Sequence, residues 1–361
     1  MKTLLNKSAS SCIERTGRLS LIGLGLAAAF VAGGLIGTLE AASAAPEQKD
    51  LTVYAELSFQ SPVQMITAQK KGFFEKFGLN VTAKYYQSGS DVPPGMIGGS
   101  IVLAHGGLAN PLVVSDQGFP VKIIAMAADW ARSTAIVVQP ELKDAKPADL
   151  AGKTLVAPDI PVLRMFWINW AKLNSINPGS VKWLNAAPSD ALAAFVGKRA
   201  DILLMWAPAM NKAIESGGVK WQDGRTSYRP GAAGPAPVYF NWGVVFASAD
   251  WYGKNMGTVE AYLSGLYMAQ AYMKCHADEV AQIVSKEAKL DPALGKTLMG
   301  LNDYAVDMDA NFVTAAQGAS DFYSSVGMLK KSHDLSKEID ATLIDKVSKS
   351  VKIPPEWMTC S

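Results

Sequence analysis

The stretch LTVYAELSFQSP, residues 51–62, passes from a strand pattern to a helix start, and it decides the fold class. Apolar and polar residues alternate loosely over 51–57, which favours a strand. Ser61, which precedes a proline, has the pattern of a helix N-cap. Phe59, Gln60 and Ser61 are therefore expected at the carboxyl edge of a sheet, beside a helix N-terminus. Open α/β sheets bind small molecules at this edge.

Residues 1–44 have the features of an export signal. Basic residues precede an apolar run over 19–39 that contains no charge, and ASA at 42–44 has the small-x-small pattern of a signal peptidase site. A retained membrane anchor is the alternative, because the run is long enough to span a bilayer. Five glycines within the run favour cleavage. We therefore expect a processed, soluble protein in the periplasm.

Net charge and chain length limit the class of protein to which the sequence can belong. Without residues 1–44 the chain carries 30 basic and 30 acidic residues, so its net charge is zero. A nucleic-acid-binding protein normally has a basic excess or a basic stripe, so we expect no nucleic-acid partner. The remaining length favours two domains.

Two cysteines remain after processing, Cys275 and Cys360. In an oxidising compartment they form either a disulfide or two unpaired thiols, and the sequence leaves both alternatives open. Neither cysteine has the spacing of a metal site, and no phosphate-binding loop follows the signal. We therefore expect neither a metal nor another cofactor.

Short apolar strands alternate with helical stretches from residue 51 to about 237, which is typical of parallel α/β layers. Beyond residue 259 the period is helical, so the C-terminal third is predicted to be helical. The predicted strands are 51–57, 79–86, 101–104, 121–128, 134–138, 153–157, 181–184, 202–205 and 238–246, and the main predicted helices are 63–76, 161–173 and 190–196.

Several motifs occur in a familiar order: AQKKGFFEKFGLNV at 68–81, GGLANPL at 106–112, GFPVK at 118–122, DLAGK at 149–153, DALAAFVGKRAD at 190–201 and WAP at 206–208. In these motifs the sequence resembles the solute-binding proteins of ABC importers of the nitrate, sulfonate and taurine type. The resemblance implies the type II periplasmic-binding-protein fold, in which two α/β lobes are joined by two crossing hinge strands. It implies that lobe one comprises 46–132 and 238–361, lobe two comprises 133–237, and the crossings lie near 130–137 and 239–244.

The same resemblance implies a function. Such a protein captures a small organic solute between its lobes and delivers it, as a monomer, to an ABC permease and its ATPase. An exported enzyme, or a protein that binds pyrimidine precursors of thiamine on the same fold, is the alternative, and a ligand sensor for a membrane receptor is a third. The enzyme is disfavoured because the chain has three histidines and no G-x-S-x-G motif, so we expect no catalytic residues.

Five candidate ligand residues follow the predicted strands 51–57 and 101–104 of the first lobe. Phe59, Gln60 and Ser61 would form a loop of the ligand cleft, unless Ser61 only caps its helix and Phe59 only packs. His105 and Gly106 follow a buried strand, and a glycine lets the backbone approach a ligand closely. His105 is either a ligand donor or a packing histidine.

Asp159 lies at a strand-to-helix turn of the predicted second lobe. Relatives that bind anions commonly have small hydroxyl residues at this turn. A carboxylate would repel an anion and favour an amine or another donor, unless it caps the helix. Inheritance of nitrate or sulfonate specificity is therefore in doubt.

Large aromatic residues fall at strand ends or crossings, where they would form stacking walls of the cleft: Trp130, Trp206, Tyr239 and Trp242. Arg132 and Asn241 are the polar residues best placed among them. Together these residues predict an organic ligand with an apolar or aromatic body.

Overall fold

The computed structural model describes residues 45–86 and 91–360, so the predicted export signal at 1–44 lies outside the described residues. Within the described part of the chain the strands are β1 (Asp50–Glu56), β2 (Asn80–Tyr86), β3 (Leu103–Gly107), β4 (Val121–Asp129), β5 (Thr134–Val138), β6 (Thr154–Ala157), β7 (Lys182–Asn185), β8 (Ile202–Trp206), β9 (Val219–Asp223), β10 (Thr226–Ser227), β11 (Gly234–Pro235), β12 (Trp242–Ser248) and β13 (Asp303–Tyr304).

The α-helices of the same residues are α1 (Val63–Lys70), α2 (Val92–Ile97), α3 (Ala109–Asp116), α4 (Pro161–Leu173), α5 (Pro188–Val196), α6 (Ala209–Glu215), α7 (Ala249–Lys254), α8 (Met256–Cys275), α9 (Ala277–Ala288), α10 (Pro292–Met299), α11 (Ala310–Ser325), α12 (Leu335–Glu338), α13 (Thr342–Ser350) and α14 (Pro355–Met358). None of these helices is both long enough and apolar enough to cross a membrane.

The first sheet has the strand order β13-β4-β12-β3-β1-β2. Strand β1 runs parallel to β2, with Leu51 opposite Val81, and parallel to β3, with Tyr54 opposite Ala104. Strand β12 lies antiparallel between β3 and β4. Because β1 and β3 are parallel, their carboxyl ends lie at the same edge of the sheet.

The second sheet has the order β11-β10-β9-β5-β8-β6-β7. The chain passes from the first sheet to the second between β4 and β5, and it returns between β11 and β12. Strand β12 and helices α7 to α14 follow the return. The predicted α/β class, with two lobes, two crossings and a helical C-terminal third, is confirmed.

The central strands of the second sheet are apolar on both faces because helices cover both. Ile136 of β5 packs in the same apolar cluster as Trp170 of α4. Its neighbour Val137 packs in the cluster of Phe195 of α5 on the opposite face. Successive strand residues face opposite sides, so a doubly covered strand needs a continuous apolar run.

Local predictions differ from the structure at several places. The predicted helix 63–76 is shorter, because α1 ends at Lys70 and Gly72 adopts a left-handed backbone with φ of 69°. The predicted strand 238–246 begins only at Trp242, and residues 238–241 belong to the crossing. Strand β13 was not predicted within the helical third; it pairs with the edge of β4.

A disulfide joins Cys275, at the end of α8, to Cys360 in the C-terminal tail. Of the two alternatives left open by the sequence, the structure contains the bridge. The tail also packs through Trp357, whose ring centroid lies 5.0 Å from that of Tyr272 and 5.6 Å from that of Phe73. Both covalent and apolar contacts therefore hold the tail against α8.

Candidate ligand cleft

A cavity of about 400 Å³ is lined by residues from both sheets and from the crossings. We call it the cleft. Its volume lies within the range of small-molecule sites in proteins. The described residues that line it are Glu56, Gln60, Gly107, Leu108, Ala109, Asn110, Trp130, Thr134, Ile160, Val162, Leu163, Trp206, Tyr239, Asn241 and Tyr323.

Five of the residues predicted from the sequence come together here: Gln60, Trp130, Trp206, Tyr239 and Asn241. Gln60 comes from the loop after β1, and Trp206 ends β8 of the second sheet. The other three lie on the two crossings. The cleft therefore has walls from both lobes, and the ligand-binding role of these five residues stays a prediction.

Hydrogen bonds hold the crossings against the first-lobe loop. The Trp130 backbone N–H donates to the Asn241 carbonyl at 2.7 Å, so one crossing is bonded to the other. Gln60 Nε2 donates to Ser133 Oγ at 3.0 Å, and Ser133 Oγ donates to the Trp130 carbonyl at 2.7 Å. A polar side chain of the predicted ligand loop is thus coupled to the segment that would act as a hinge.

Glycines allow the Trp130 ring to pack closely on the first sheet. A Cβ atom at Gly243 would lie 2.3 Å from Trp130 Cζ2, and one at Gly107 would lie 3.6 Å from Trp130 Cζ3. Since a separation of 2.3 Å is far inside van der Waals contact, no other residue fits at Gly243 without moving the ring. The backbone at these two glycines thus lets the Trp130 indole lie against the first sheet, where it forms part of the cleft wall.

Trp206 and Tyr239 occupy different environments within the cleft. Trp206 pairs with Thr134 across β8 and β5, keeps partial exposure, and packs beside apolar residues of both faces of the second sheet. Tyr239 is buried, with its ring centroid 5.2 Å from that of Phe166. Burial raises the pKa of Tyr239 well above its usual value, so its hydroxyl stays neutral.

His105 has the packing role rather than the donor role. Its side chain is fully buried, with Nδ1 3.1 Å from the Ser61 carbonyl and Nε2 2.6 Å from the Tyr262 hydroxyl. A carbonyl only accepts, so Nδ1 carries the proton and Nε2 accepts from Tyr262. Both ring nitrogens are engaged and His105 does not line the cleft, so it is not a candidate ligand residue.

Buried His105 predicts that the fold loses stability in mild acid. Burial lowers its pKa to about 4, below the value of about 6.5 expected in the unfolded chain. The unfolded chain therefore binds more protons between these pH values, and stability falls as the pH falls. Against a His105→Gln reference, the wild type should lose about 2 kcal/mol of unfolding free energy between pH 8 and pH 5.

Urea unfolding at several pH values measures this difference, and the reference variant removes the contribution of all other titrating groups. Parallel pH profiles for the two proteins would show that His105 is readily protonated in the folded state.

The other predicted residues of the first lobe lie behind the cleft wall. Phe59 is buried in the core, and its carbonyl accepts hydrogen bonds from Asn302 and Tyr304. The Ser61 N-cap prediction is wrong: α1 starts at Val63, and no side chain caps it. Within the described structure Ser61 Oγ is buried without a hydrogen-bond partner.

Gly106 lies beside the cleft, because Gly107 is the residue that lines it. A Cβ atom at Gly106 would lie 2.5 Å from Asn110 Nδ2 and 3.0 Å from the Tyr86 hydroxyl oxygen. Gly106 was predicted to let the backbone approach a ligand closely, but the groups that lie close to it are the side chains of Asn110 and Tyr86. Asn110 is held over this glycine at the start of α3, and it reaches the cleft.

Two charged residues predicted for the site are paired elsewhere. Arg132 donates to Asp303 at 2.6 Å and does not line the cleft. Asp159 accepts two hydrogen bonds from Arg164, at 2.6 and 2.8 Å, which hold its pKa below the usual value. Asp159 does not cap α4, whose N-cap is Ile160. The Asp159 charge is therefore neutralised by Arg164 of the helix that follows it.

Trp242 belongs to a second cavity of about 660 Å³. Its ring stacks on Phe240, with 5.2 Å between centroids, and meets Phe312 edge-on at 5.3 Å. The next residue back, Asn241, lines the cleft. Neighbouring residues of an extended segment face opposite sides, which separates the two cavities.

Sequence reasoning missed several residues of the cleft. Glu56 ends β1 directly before the loop that was singled out, and Asn110 lies within the GGLANPL motif, so both had a local signal. Tyr323 had none, since α11 lies far along the chain in a segment read only as helical. Within the described part of the chain, no cluster of three or more histidine, cysteine or carboxylate side chains could hold a metal ion.

The two sheets, the double crossing and the cleft define the two-lobe fold of the solute-binding proteins of ABC importers. Comparisons with known proteins confirm the resemblance found in the sequence motifs. The model of the NMT1/THI5-like family matches residues 62–280, more than half of the chain, and the protein belongs to that family.

One curated relative is the taurine-binding periplasmic protein of Escherichia coli (strain K12). It is 28% identical over 146 residues, which cover 40% of this chain and 45% of that protein. The match therefore spans about half the length of the curated relative.

Solved structures with the same fold include the periplasmic aliphatic sulphonate binding protein of Escherichia coli. Its TM-score is 0.68 at 16% identity, over 81% of this chain and 92% of that chain. The periplasmic nitrate-binding protein from Synechocystis PCC 6803 has a TM-score of 0.59 at 18% identity, over 88% and 92% of the two chains. At these identities the likeness establishes the fold alone.

Proposed function

We propose that this protein is a periplasmic solute-binding protein that holds a small organic solute between its two lobes and delivers it to an ABC importer. The observation that carries the proposal is the cleft of about 400 Å³ lined from both sheets and both crossings. Membership of the NMT1/THI5-like family and the names of the relatives support it.

The lobes follow the two sheets. We propose that lobe one comprises 46–132 and 238–361 and that lobe two comprises 133–237, because the strands of the second sheet all lie between Thr134 and Pro235. A solute that contacts both lobes stabilises the closed form, since it makes contacts there that the open form lacks. The permease and its ATPase would recognise the closed monomer.

Aromatic walls favour an organic solute. Trp130 and Trp206 give the cleft two large rings, and Gln60, Asn110 and Asn241 supply amide groups among them. Amide groups both donate and accept hydrogen bonds, so they fix the orientation of a polar solute whose body lies against the rings. The solute enters from the periplasm, to which residues 1–44 would direct the chain.

A solute panel tests the proposal. Sulfonates, aromatic carboxylates, amines and pyrimidines are each titrated calorimetrically and screened by thermal shift, where a ligand at 100 times its Kd adds about 2.7 kcal/mol to stability. We expect one class to bind at one molecule per chain and to reduce the radius of gyration in X-ray scattering.

The same samples distinguish the alternatives. Unchanged solute after prolonged incubation supports binding, whereas turnover detected by mass spectrometry would favour the exported enzyme. Absence of binding by every class would overturn the proposed function.

A further inference from the structure

The described residues that line the cleft include a single charged group. Glu56 is the one carboxylate among the described lining residues, and none of those residues is a lysine, arginine or histidine. Burial raises the pKa values of Tyr239 and Tyr323, the latter to about 12, so neither phenol contributes charge at neutral pH.

Glu56 is positioned by the sheet and is open to the cleft. It is the last residue of β1 and pairs with Tyr86 at the end of the parallel strand β2. Its side chain is exposed, in contrast to Ala55, which is fully buried on the other side of the strand. The carboxyl edge of β1 therefore presents one carboxylate to the space between the lobes.

Among the residues that the structure describes, the Glu56 carboxylate has no counter-charge. Within the described structure no lysine, arginine or histidine nitrogen lies within 4.0 Å of it, whereas Asp159 and Asp129 each pair with an arginine. Although part of Glu56 is accessible to solvent, the protein that surrounds its carboxyl group desolvates it and raises its pKa, and among the described residues no hydrogen bond or cation offsets this effect. An unpaired carboxylate in a partly enclosed site costs free energy that a cationic partner recovers.

We infer that the cleft selects an organic ammonium, with its protonated nitrogen at Glu56 and its apolar body against Trp130 and Trp206. The inference rests on the proposed function and names its solute class. An ammonium has three donors, so beside Glu56 it also reaches the amide oxygens available in the cleft. A purely anionic solute would meet the carboxylate without a compensating cation.

A matched series tests the charge preference. 2-Phenylethylamine, 2-phenylethanol and 2-phenylethanesulfonate share one body and differ in head group, and tryptophan fluorescence or calorimetry measures their Kd values. We expect the amine to bind at least tenfold more tightly than the alcohol or the sulfonate. In Glu56→Gln the amine should lose about tenfold to a hundredfold in affinity, while the alcohol changes little.

Glu75→Gln is the control for net charge, because Glu75 is an exposed carboxylate on a short helical turn outside the cleft. It should keep the wild-type preference for the amine. A wild-type preference for the sulfonate, equal amine affinity in Glu56→Gln, or no binding by any member would overturn the inference. Binding of the sulfonate would leave the proposed solute-binding function standing, whereas that function fails only if the wider panel fails.

Discussion

Removal of the Cys275–Cys360 disulfide should lower the free energy of unfolding by about 4.5 kcal/mol. The bond closes a loop with a sequence separation of 85 residues. In the chain-entropy model, a loop of this length strongly restricts the unfolded chain, and opening it restores that freedom. Urea unfolding of a Cys275→Ala/Cys360→Ala variant, with and without reductant, measures the loss.

Reduced wild type is the matched control and should unfold like the double variant. Thiol counting on the oxidised wild type under denaturing conditions should find no free thiol at these two positions. A double variant within 1 kcal/mol of the oxidised wild type would contradict the prediction, because 1 kcal/mol is a small part of the expected effect. The packing of Trp357 against Tyr272 would then be sufficient to hold the tail.

Trp206→Ala should weaken solute binding by about 1–3 kcal/mol, or about five- to two-hundred-fold. The ring lines the cleft and keeps partial exposure, so its truncation removes stacking and burial of the solute. Calorimetric titration of the best-binding compound of the panel measures the change. The stability of the unliganded protein, followed by its melting temperature, should change little, so the loss in free energy falls mainly on binding.

Trp221 is the matched control for this prediction. It belongs to the same sheet but is fully buried and does not line the cleft. Trp221→Ala should cost about 3–5 kcal/mol of fold stability, as for other large-to-small core substitutions. If Trp206→Ala behaves like this control and leaves affinity unchanged, then Trp206 is a packing residue and the cleft wall is wrongly assigned.

The geometry of the first sheet places the proposed ammonium site at Glu56 close to the crossing that would act as a hinge. Glu56 and Gly107 end the parallel strands β1 and β3, so both reach the cleft at the same sheet edge. Gln60 follows β1 and is bonded to Ser133 on the first crossing. A solute held at Glu56 therefore lies near the loop that contacts the hinge, where lobe closure would be sensed.

Much of the fold followed from local pattern alone. Helix α4 has the bounds predicted for it, Pro161–Leu173, because a proline can open a helix and an apolar stripe defines its buried face. Strand β5, Thr134–Val138, was also predicted with its observed bounds, since a continuous apolar run of this length suits a strand covered on both faces. The motif order indicated the family, which the comparisons confirm.

The sequence predicted residues of the candidate site only where the type of a residue and its place at a strand end were informative by themselves. Trp130 and Trp206 were predicted because large rings at strand ends are unusual, and both line the cleft, while their role in binding stays a prediction. Asp159 was predicted as a ligand residue or a helix cap, but it pairs with Arg164 of the helix that follows. The sequence pattern did not indicate this bidentate pair.

The sequence by itself determined the alternation of strands and helices, the family and the expectation of an organic solute, because these depend on near neighbours and on motif order. Tertiary structure alone decided which strand-end residues share a cavity. It buried His105 between Ser61 and Tyr262, and it gave Glu56 no cationic partner among the described residues around the cleft. The physical reason is that burial and charge pairing arise between elements far apart in the chain, and these contacts form only when the sheets and crossings are packed together.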